Sequence, residues 1–489
     1  MSSIQDNKFQ AIISHAKEYG FVFPSSEIYD GLSAVYDYGP YGSELKKNIR
    51  DYWWKSMTQL HENIVGIDAA IFMHPTTWKA SGHVDNFSDP MIDNKDSKKR
   101  YRVDHLIEAH ADKLKEAGKE QEAAALLAEM ERTLDKEQDY AAVKKLIEEF
   151  KIVCSVSGTA NWTEIRQFNL MFDTKVGSVA EEADTIYLRP ETAQGIFVNF
   201  LNVQKTARMK IPFGIAQTGK AFRNEIVARQ FIFRMREFEQ MEMQFFVRPG
   251  TEGEWYKFWK EARLQWHLSL GLEASKYRYH DHVKLAHYAK EACDIEFEFP
   301  IGFKEVEGIH SRGDFDLSQH EKFSRKKQQY FDNDLNEEGK PYGNYIPYVI
   351  ETSIGLDRMF LLILSNSYEE ETLTKEDGSA DSRVVLHIPA KLAPVKLAIL
   401  PLTKKDGLPE IAKELMNECK QQFKCFYEEK DAIGKRYRRQ DAIGTPFCVT
   451  IDHQTKEDQT VTIRHRDSMT QERVPLSKVR EIVTQAIEK

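Results

Sequence analysis

Residues 214–246 read GIAQTGKAFRNEIVARQFIFRMREFEQMEMQFF. Both ends of this stretch alternate: Ile215, Gln217 and Gly219 share one side of the first segment, and Phe238, Gln240, Glu242 and Gln244 share one side of the second. A period of two predicts a pair of β-strands, with polar side chains on a face that is normally buried. The segment 226–236 joins them, and Arg223, Arg229, Arg234 and Arg236 lie in or beside it. Two antiparallel strands joined by an arginine-rich loop make a surface for a polyanion, because guanidinium stays charged and offers phosphate a planar fork of donors. Phe222 and Phe238 add flat apolar faces on which a base can stack. The plain alternative is a charged hairpin with a solvated face.

The order of these residues is more particular than charge alone. Phe222-Arg223-Asn224-Glu225 followed by Arg234-x-x-x-Phe238 resembles motif 2 of class II aminoacyl-tRNA synthetases, and RNEIVARQFIFRMREFEQME is similar to the corresponding run of the homodimeric glycyl-tRNA synthetases. Working outward, YIPYVIETSIGLDRMFLLIL (345–364) begins as a strand, turns polar at Glu351-Thr-Ser353 and becomes an apolar helix after Gly355. Its Gly355-Leu-Asp-Arg358 resembles motif 3. YDYGPYGSELKKNI resembles the motif 1 region, near 36–70, whose helix and following strand form the dimer interface in that family. Arg166-Gln-Phe-Asn169 and Tyr187-Leu-Arg-Pro-Glu191-Thr-Ala-Gln194-Gly195 extend the resemblance, which is weakest over 104–160.

Length and composition set bounds. A chain of 489 residues holds two or three domains with ample core, and 41% hydrophobic with 30% charged residues describes an ordinary globular protein. No apolar run approaches the roughly 18 residues of a membrane span. The start, MSSIQDNKFQ, has neither a basic cluster nor an apolar segment, so no secretory signal is expected. Five scattered cysteines predict reduced thiols and a cytoplasmic location. A formal charge of −9 argues against a general nucleic-acid coat but leaves room for local basic patches. The absence of G-x-x-x-x-G-K-[ST] excludes a P-loop nucleotide site.

Along the chain, helices are expected over 8–20 and from about Ser43, a strand over 64–73, and a turn-rich loop over 74–94, whose His74 and His83 lack metal-ligand partners at the right spacing. Ala, Glu, Lys and Leu dominate 104–150, which predicts a helical insertion that either packs on the protein or meets a tRNA acceptor stem. Some relatives carry a Cys-x-x-Cys-Gly zinc knuckle where this chain has Cys154-Ser-Val-Ser157-Gly158, so no structural zinc is expected. A helix over 250–279 is expected to bury Trp255, Phe258, Trp259 and Trp266, and IEFEF from Ile295 reads as a strand. In FKEVEGIHSRGDFDL (303–317), acids at alternate positions, Glu305 and Glu307, can share one strand face and hold Mg²⁺, or form a surface turn. Residues 367–383, acidic and turn-rich, read as an excursion or a linker. Alternating strands and helices from about 395 predict a small α/β domain. Its basic run Gly434-Lys435-Arg436-Tyr437-Arg438-Arg439, with an embedded aromatic, suits RNA backbone and base stacking, with a solvated loop as the alternative.

The fold expected is therefore an α+β catalytic domain with a mainly antiparallel sheet (1–103 and 161–390), a helical insertion (104–160) and a C-terminal α/β domain (391–489) that resembles the anticodon-binding domain of class IIa synthetases. The resemblance implies a homodimeric ligase that activates glycine with ATP and Mg²⁺ and transfers it to tRNA. It implies that Arg223 meets the α-phosphate and the substrate carboxylate, that Arg234 and Arg358 hold the γ-phosphate, that Phe238 stacks on adenine and that Glu225 bonds its amino edge. Asn224, Phe233, Arg236, Glu305 (with Mg²⁺), Val306 and Gly355 complete the implied ATP set. Arg102, Glu191, Phe238, Glu239, Gln240, Glu242, Glu351, Ser353 and Gly355 form the implied glycine set, and Lys435, Arg436, Arg438 and Arg439 the implied tRNA set. A synthetase-like tRNA-binding protein without catalysis is the alternative.

Overall fold

The computed structural model describes residues 2–177, 184–226, 230–283, 285, 289–374 and 380–488. Arg229 lies outside them. The chain forms two compact units, Met1–Met73 with Glu191–Lys489, and His74–Pro190. No helix among the described residues is long and apolar enough to cross a membrane.

In the first unit a seven-stranded sheet runs in the spatial order Tyr277–Asp281, Glu291–Phe299, Gly302–Gly313, Tyr348–Gly355, Glu237–Val247, Phe213–Phe222, Ile64–Gly66. Every neighbouring pair is antiparallel except the last, which is parallel. The hairpin expected from 214–246 is its centre: Gln217 faces Glu242 and Gly219 faces Gln240 across the ladder. Directly opposed residues share a sheet face, so the even-numbered side chains from Phe238 to Gln244 form a polar surface. The odd-numbered Met241, Met243 and Phe245 face the other way, into a core with Leu45, Ile49 and Trp53 of the Pro40–Thr58 helix and Trp259 of the Glu252–Leu268 helix. The Leu356–Ser367 helix is buried on nearly every side, as its uninterrupted MFLLIL demands.

Several boundaries differ from expectation for physical reasons. The helix expected near Ser43 begins at Pro40, whose fixed φ suits a first helical turn. The strand expected over 64–73 stops at Gly66, where a Cβ would stand 2.3 Å from the Trp54 ring. Within the 250–279 segment Trp259 and Trp266 are buried while Phe258 is exposed, and Tyr277–Asp281 is a strand rather than helix. Of the two readings of 367–383 the excursion holds and the linker does not: the segment is a ribbon, Tyr368–Thr374 paired with Ala380–Leu386.

The C-terminal part of this unit holds a five-stranded sheet, in the order Cys425–Tyr427, Leu397–Pro401, Phe447–Ile451, Thr460–His465, Gln471–Pro475. Helices Leu408–Cys419 and Val479–Glu488 cover it through Leu408, Ala412, Leu415, Val479 and Val483. The basic run is not a loop. It lies in the Ile433–Ala442 helix, which puts Arg436 and Gln440 on one buried face at i, i+4 spacing.

The second unit combines a three-stranded sheet, Arg100–Arg102, Ser88–Asp93 and Arg166–Asn169, with the helices Val103–Glu116, Glu120–Met130 and Tyr140–Glu149. Ile107, Leu126, Val143, Ile147 and Trp162 fill its core, so the periodicity read over 104–150 is a packing signal. The turn-rich 74–94 stretch is more ordered than expected, holding helices Pro75–Ala80 and His83–Asn86 and the Ser88–Asp93 strand. His74 caps the first helix by accepting from the Thr76 amide, and His83 Nδ1 lies 2.8 Å from Ser81 Oγ. Cys154 Sγ sits 3.2 Å from Ser97 Oγ and 3.1 Å from the Tyr101 hydroxyl, while Ser157 Oγ donates to Asn94 Oδ1.

Candidate active site

The polar sheet face becomes a cleft because three adjacent strands contribute to it in register. Gln244 lies opposite Glu351, Glu242 opposite Ser353 and Gln240 opposite Gly355; on the next strand His310 lies opposite Glu351 and Gly308 opposite Ser353. Glu191 joins them from the turn before the Ala193–Val198 helix. Three carboxylates, Glu191, Glu242 and Glu351, thus line one end of the cleft.

Each acid has a defined partner. Gln244 Nε2 donates at 2.6 Å to both Glu242 Oε1 and Glu351 Oε2. Thr192 Oγ1 donates to Glu242 Oε2. Arg312 Nη1 lies 2.7 Å from Glu351 Oε2, and His310 Nδ1 lies 2.8 Å from its other oxygen. Gln194 Nε2 donates to Glu191 Oε1 at 3.0 Å and to Asp316 Oδ1 at 2.9 Å, and Asp316 in turn receives Arg312 Nε at 2.9 Å. This network separates the three acids electrostatically. Burial, together with the charges of Glu351 and Glu191, pushes the Glu242 carboxyl well above the usual range. Burial acts on Glu351 in the same direction, but Arg312 and His310 outweigh it and hold that group well below the usual range. Glu351 also raises His310 against the effect of burial. The two shifts run in opposite directions, so of this pair the charged form is favoured at Glu351 and disfavoured at Glu242.

The floor is made of small groups. A Cβ on Gly308 would stand 2.8 Å from His310 Cε1. Ser353 Oγ accepts from Gln240 Nε2 at 3.2 Å, and Gln240 Oε1 accepts from the Thr192 amide at 3.2 Å. Gly308 and Ser353 both line the cleft at this end.

Cations line the other end. Arg223 lies over the Phe238 ring at 5.3 Å, and the exposed Arg234 and half-buried Glu225 stand at the rim. Arg358 leans on the Phe233 ring at 4.5 Å and pairs through Nη1 with Glu305 Oε2 at 2.9 Å. That guanidinium holds the Glu305 carboxyl below its ordinary value.

The structure thus brings together Glu191, Arg223, Glu225, Phe233, Arg234, Phe238, Gln240, Glu242, Glu305, Glu351, Ser353, Gly355 and Arg358 around one cleft. Other residues expected there are occupied elsewhere. Glu239 also lines the cleft, while its carboxylate meets Arg50 at 2.7 Å and Lys46 at 3.3 Å. Lys46 also lies 2.7 Å from Asp357, whose other oxygen accepts the Glu239 amide at 2.7 Å. Val306 is buried in the core. Arg236 fastens the motif 2 loop by donating to the carbonyls of Glu225 and Ser33, each at 3.2 Å, while Asn224 is half-buried beside Arg223. The carboxylates of Glu305 and Glu307 do not share a face: Glu307 is buried against Arg263 at 2.5 Å and His267 at 2.8 Å. Arg102 belongs to the second unit, where its Nε donates to Asp104 at 2.8 Å and Nη1 lies 3.6 Å from Asp89.

The basic helix also divides. Arg436 is buried and donates to the carbonyls of Pro401 at 2.7 Å, Glu428 at 3.0 Å and Leu402 at 3.3 Å. Arg439 is paired with Glu428 and Asp431. Tyr437 bonds Thr450 and lies under Arg464, so it is not presented as a stacking platform. Lys435 and Arg438 are the exposed members of the run. Sequence reasoning missed His310, Arg312, Gln194 and Gln244, which fix the acids. Strand alternation from Gly308 to His310 and from Glu242 to Gln244 was the signal available for two of them.

Comparison with known proteins agrees with this architecture. Residues 89–170 match the glycyl-tRNA synthetase insertion domain 1, residues 172–367 the class II core domain of tRNA synthetases (G, H, P, S and T), and residues 396–486 an anticodon binding domain. The glycine–tRNA ligase of Chlorobaculum tepidum is 55% identical over 473 residues, covering 96% of this chain and 98% of that protein. Those of Treponema denticola and Borreliella burgdorferi are 50% and 52% identical, the first over 97% of both chains and the second over 96% of this chain and 95% of its own. With its acid-lined, cation-rimmed cleft set on this sheet, the chain belongs to the glycine–tRNA ligase family of class II synthetases.

Proposed function

We infer that the protein activates glycine with ATP and transfers it to the 3′ end of a glycine-specific tRNA. The observation that carries this reading is the split cleft: carboxylates over a floor of Gly308 and Ser353 at one end, guanidinium groups beside aromatic faces at the other. A free amino acid has an ammonium for the first end and a carboxylate for the second, and a floor without room for a side chain selects glycine by exclusion. In the first step the glycine carboxylate oxygen bonds to the α-phosphorus and the bond to pyrophosphate breaks, with its electron pair leaving on pyrophosphate. In the second, a ribose hydroxyl of the terminal adenosine bonds to the carbonyl carbon, and AMP departs.

Within this reading Arg223 bridges substrate carboxylate and α-phosphate, Arg234 and Arg358 hold the γ-phosphate, and Phe238 stacks on adenine with Glu225 at its amino edge. Fixed cations aimed at developing phosphate charge, together with orientation of the two reactants, account for catalysis. Glu191, Glu242, Ser353 and Glu351 receive the ammonium, the last held in place by Arg312 and His310. Arg102, already paired with Asp104, keeps its substrate role on the resemblance alone. Glu305 is the carboxylate that fits Mg²⁺, an ion that combines one or two carboxylates with phosphate oxygens and offsets their charge. Arg358 would exchange Glu305 for phosphate as the nucleotide enters.

The exposed Lys435 and Arg438 are the members of the basic helix suited to the tRNA backbone. Homodimerisation through the Pro40–Thr58 helix region and a cytoplasmic location complete the proposal; the five cysteines, all unpaired, are consistent with a reducing compartment. Charging of a glycine tRNA transcript with labelled glycine tests the reading. Acid-precipitable product that requires ATP supports it, and its absence with active nucleotide and intact transcript contradicts it.

A further inference from the structure

Away from the cleft, the ribbon Tyr368–Thr374 with Ala380–Leu386 carries a cluster that the aminoacylation chemistry does not use. Glu369 and Glu371, two apart on one strand, share a face, and His387 follows the partner strand. The imidazole Nε2 stands 3.3 Å from Glu369 Oε2 and 3.4 Å from Glu371 Oε1. Its other nitrogen, Nδ1, is 2.6 Å from Asp467 Oδ1, a residue of the C-terminal part. Arg383 occupies Glu371 Oε2 at 2.7 Å and leaves Oε1 turned toward the histidine.

Two observations point to an ion between these atoms. First, Nε2 is buried yet makes no hydrogen bond, although two carboxylate oxygens face it. Second, a tetrahedral Zn²⁺ that holds nitrogen and oxygen at about 2.0–2.1 Å sets the two ligand atoms roughly 3.3–3.4 Å apart. The separations of the imidazole nitrogen from the two oxygens are 3.3 and 3.4 Å. The far side of the imidazole is prepared as well: a carboxylate on Nδ1 fixes the ring and raises its basicity, the arrangement that supports a metal-bound histidine. Asp467 is itself held by both Arg466 Nε at 2.7 Å and Nη2 at 2.9 Å, so the support is rigid.

We propose that Glu369, Glu371 and His387 bind one Zn²⁺ ion, with Asp467 as the outer support of the histidine and a water molecule as fourth ligand. The site pins the ribbon to the C-terminal part of the unit, alongside the Arg383 to Asp441 pair at 2.6 Å. Nitrogen and two carboxylates suit a borderline divalent ion better than Mg²⁺, which demands six oxygen ligands. The site is distinct from Cys154-Ser-Val-Ser157, where the lost thiol argues against zinc.

Calorimetric titration of chelator-stripped, full-length protein with ZnCl₂ tests the proposal. One saturable site is expected, weakened by roughly tenfold or more in Glu369→Gln and lost in His387→Gln, and unaffected by Cys154→Ser. Absence of saturable uptake, or uptake that follows Cys154 instead, overturns it. Should His387→Gln fail to fold, Co²⁺ loaded into the unaltered protein decides the matter. A tetrahedral d–d spectrum without a thiolate charge-transfer band supports the nitrogen and oxygen set, and a thiolate band or an octahedral spectrum rejects it.

Discussion

Glu305 and Glu307 stand two positions apart on one strand and reach opposite sides of the sheet: Glu305 meets Arg358 at 2.9 Å in the cleft, and Glu307 meets Arg263 at 2.5 Å among the helices behind it. The cause is a register shift. Ile295 pairs with Glu307 and Glu296 with Glu305, so Val306 is an extra residue that turns the strand between them. Glu307→Gln should destabilise the fold by about 3–5 kcal/mol, because the buried Arg263 loses its counter-charge. Glu305→Gln should leave the melting temperature nearly unchanged, since that side chain is 46% exposed, and should instead raise the Mg²⁺ concentration required for activity. Thermal melts of the two variants, with exchange assays over a Mg²⁺ series, check both halves.

Gly308 sets the room above the cleft floor. Gly308→Ala places a methyl group 2.8 Å from the His310 ring, which must move and take its hold on Glu351 with it. We expect KM for glycine to rise and kcat to fall, on the order of 10²-fold combined, because a displacement near 1 Å costs about that much. Stability should change little. Steady-state kinetics beside a melting curve separate this outcome from misfolding.

The raised Glu242 carboxyl predicts a pH signature. A carboxyl whose folded pKa is raised contributes stability that is fully present below its unfolded value and is lost as pH rises toward and through the folded one. Glu242→Gln removes this titration. The variant should therefore gain on the unaltered protein in melting temperature as pH goes from about 5 to about 8. A gap in melting temperature that is constant with pH would show that Glu242 is already ionised in the folded protein.

The Ile433–Ala442 helix separates structure from recognition. Arg436→Ala strands three buried carbonyls and should cost about 1–3 kcal/mol of stability. Lys435→Ala and Arg438→Ala should leave stability intact, weaken tRNA binding and reduce the slope of log K against log salt by roughly 0.7 for each phosphate no longer neutralised. Filter binding across a salt series, with melts of each variant, reads both effects.

The sequence made the central architecture legible where one periodicity ran unbroken. The hairpin 214–246 and the strand-to-helix switch at Gly355 were readable because alternation by two, then an apolar helix, leaves no competing arrangement. The same alternation that sets Gln240 and Glu242 on the polar face gives the Glu239 carboxylate to Lys46 and Arg50. Glu307 could not be placed that way, because a bulge inverts parity without a mark in composition. The supports of the acids, Arg312, Gln194 and Asp316, come from distant segments and meet only in the folded chain. Composition misled at the 367–383 ribbon and at Arg436, where acidic strand faces look like a linker and a buried guanidinium looks like an RNA-binding group.

Amino-acid-dependent ATP–pyrophosphate exchange, run with each of the twenty amino acids and without tRNA, tests the central claim most directly. A cleft of this shape and charge predicts exchange with glycine alone, abolished in Glu191→Ala and Arg223→Ala. Exchange with a larger amino acid would contradict a floor closed by Gly308 and Ser353, and no exchange with any amino acid would contradict catalysis at this cleft.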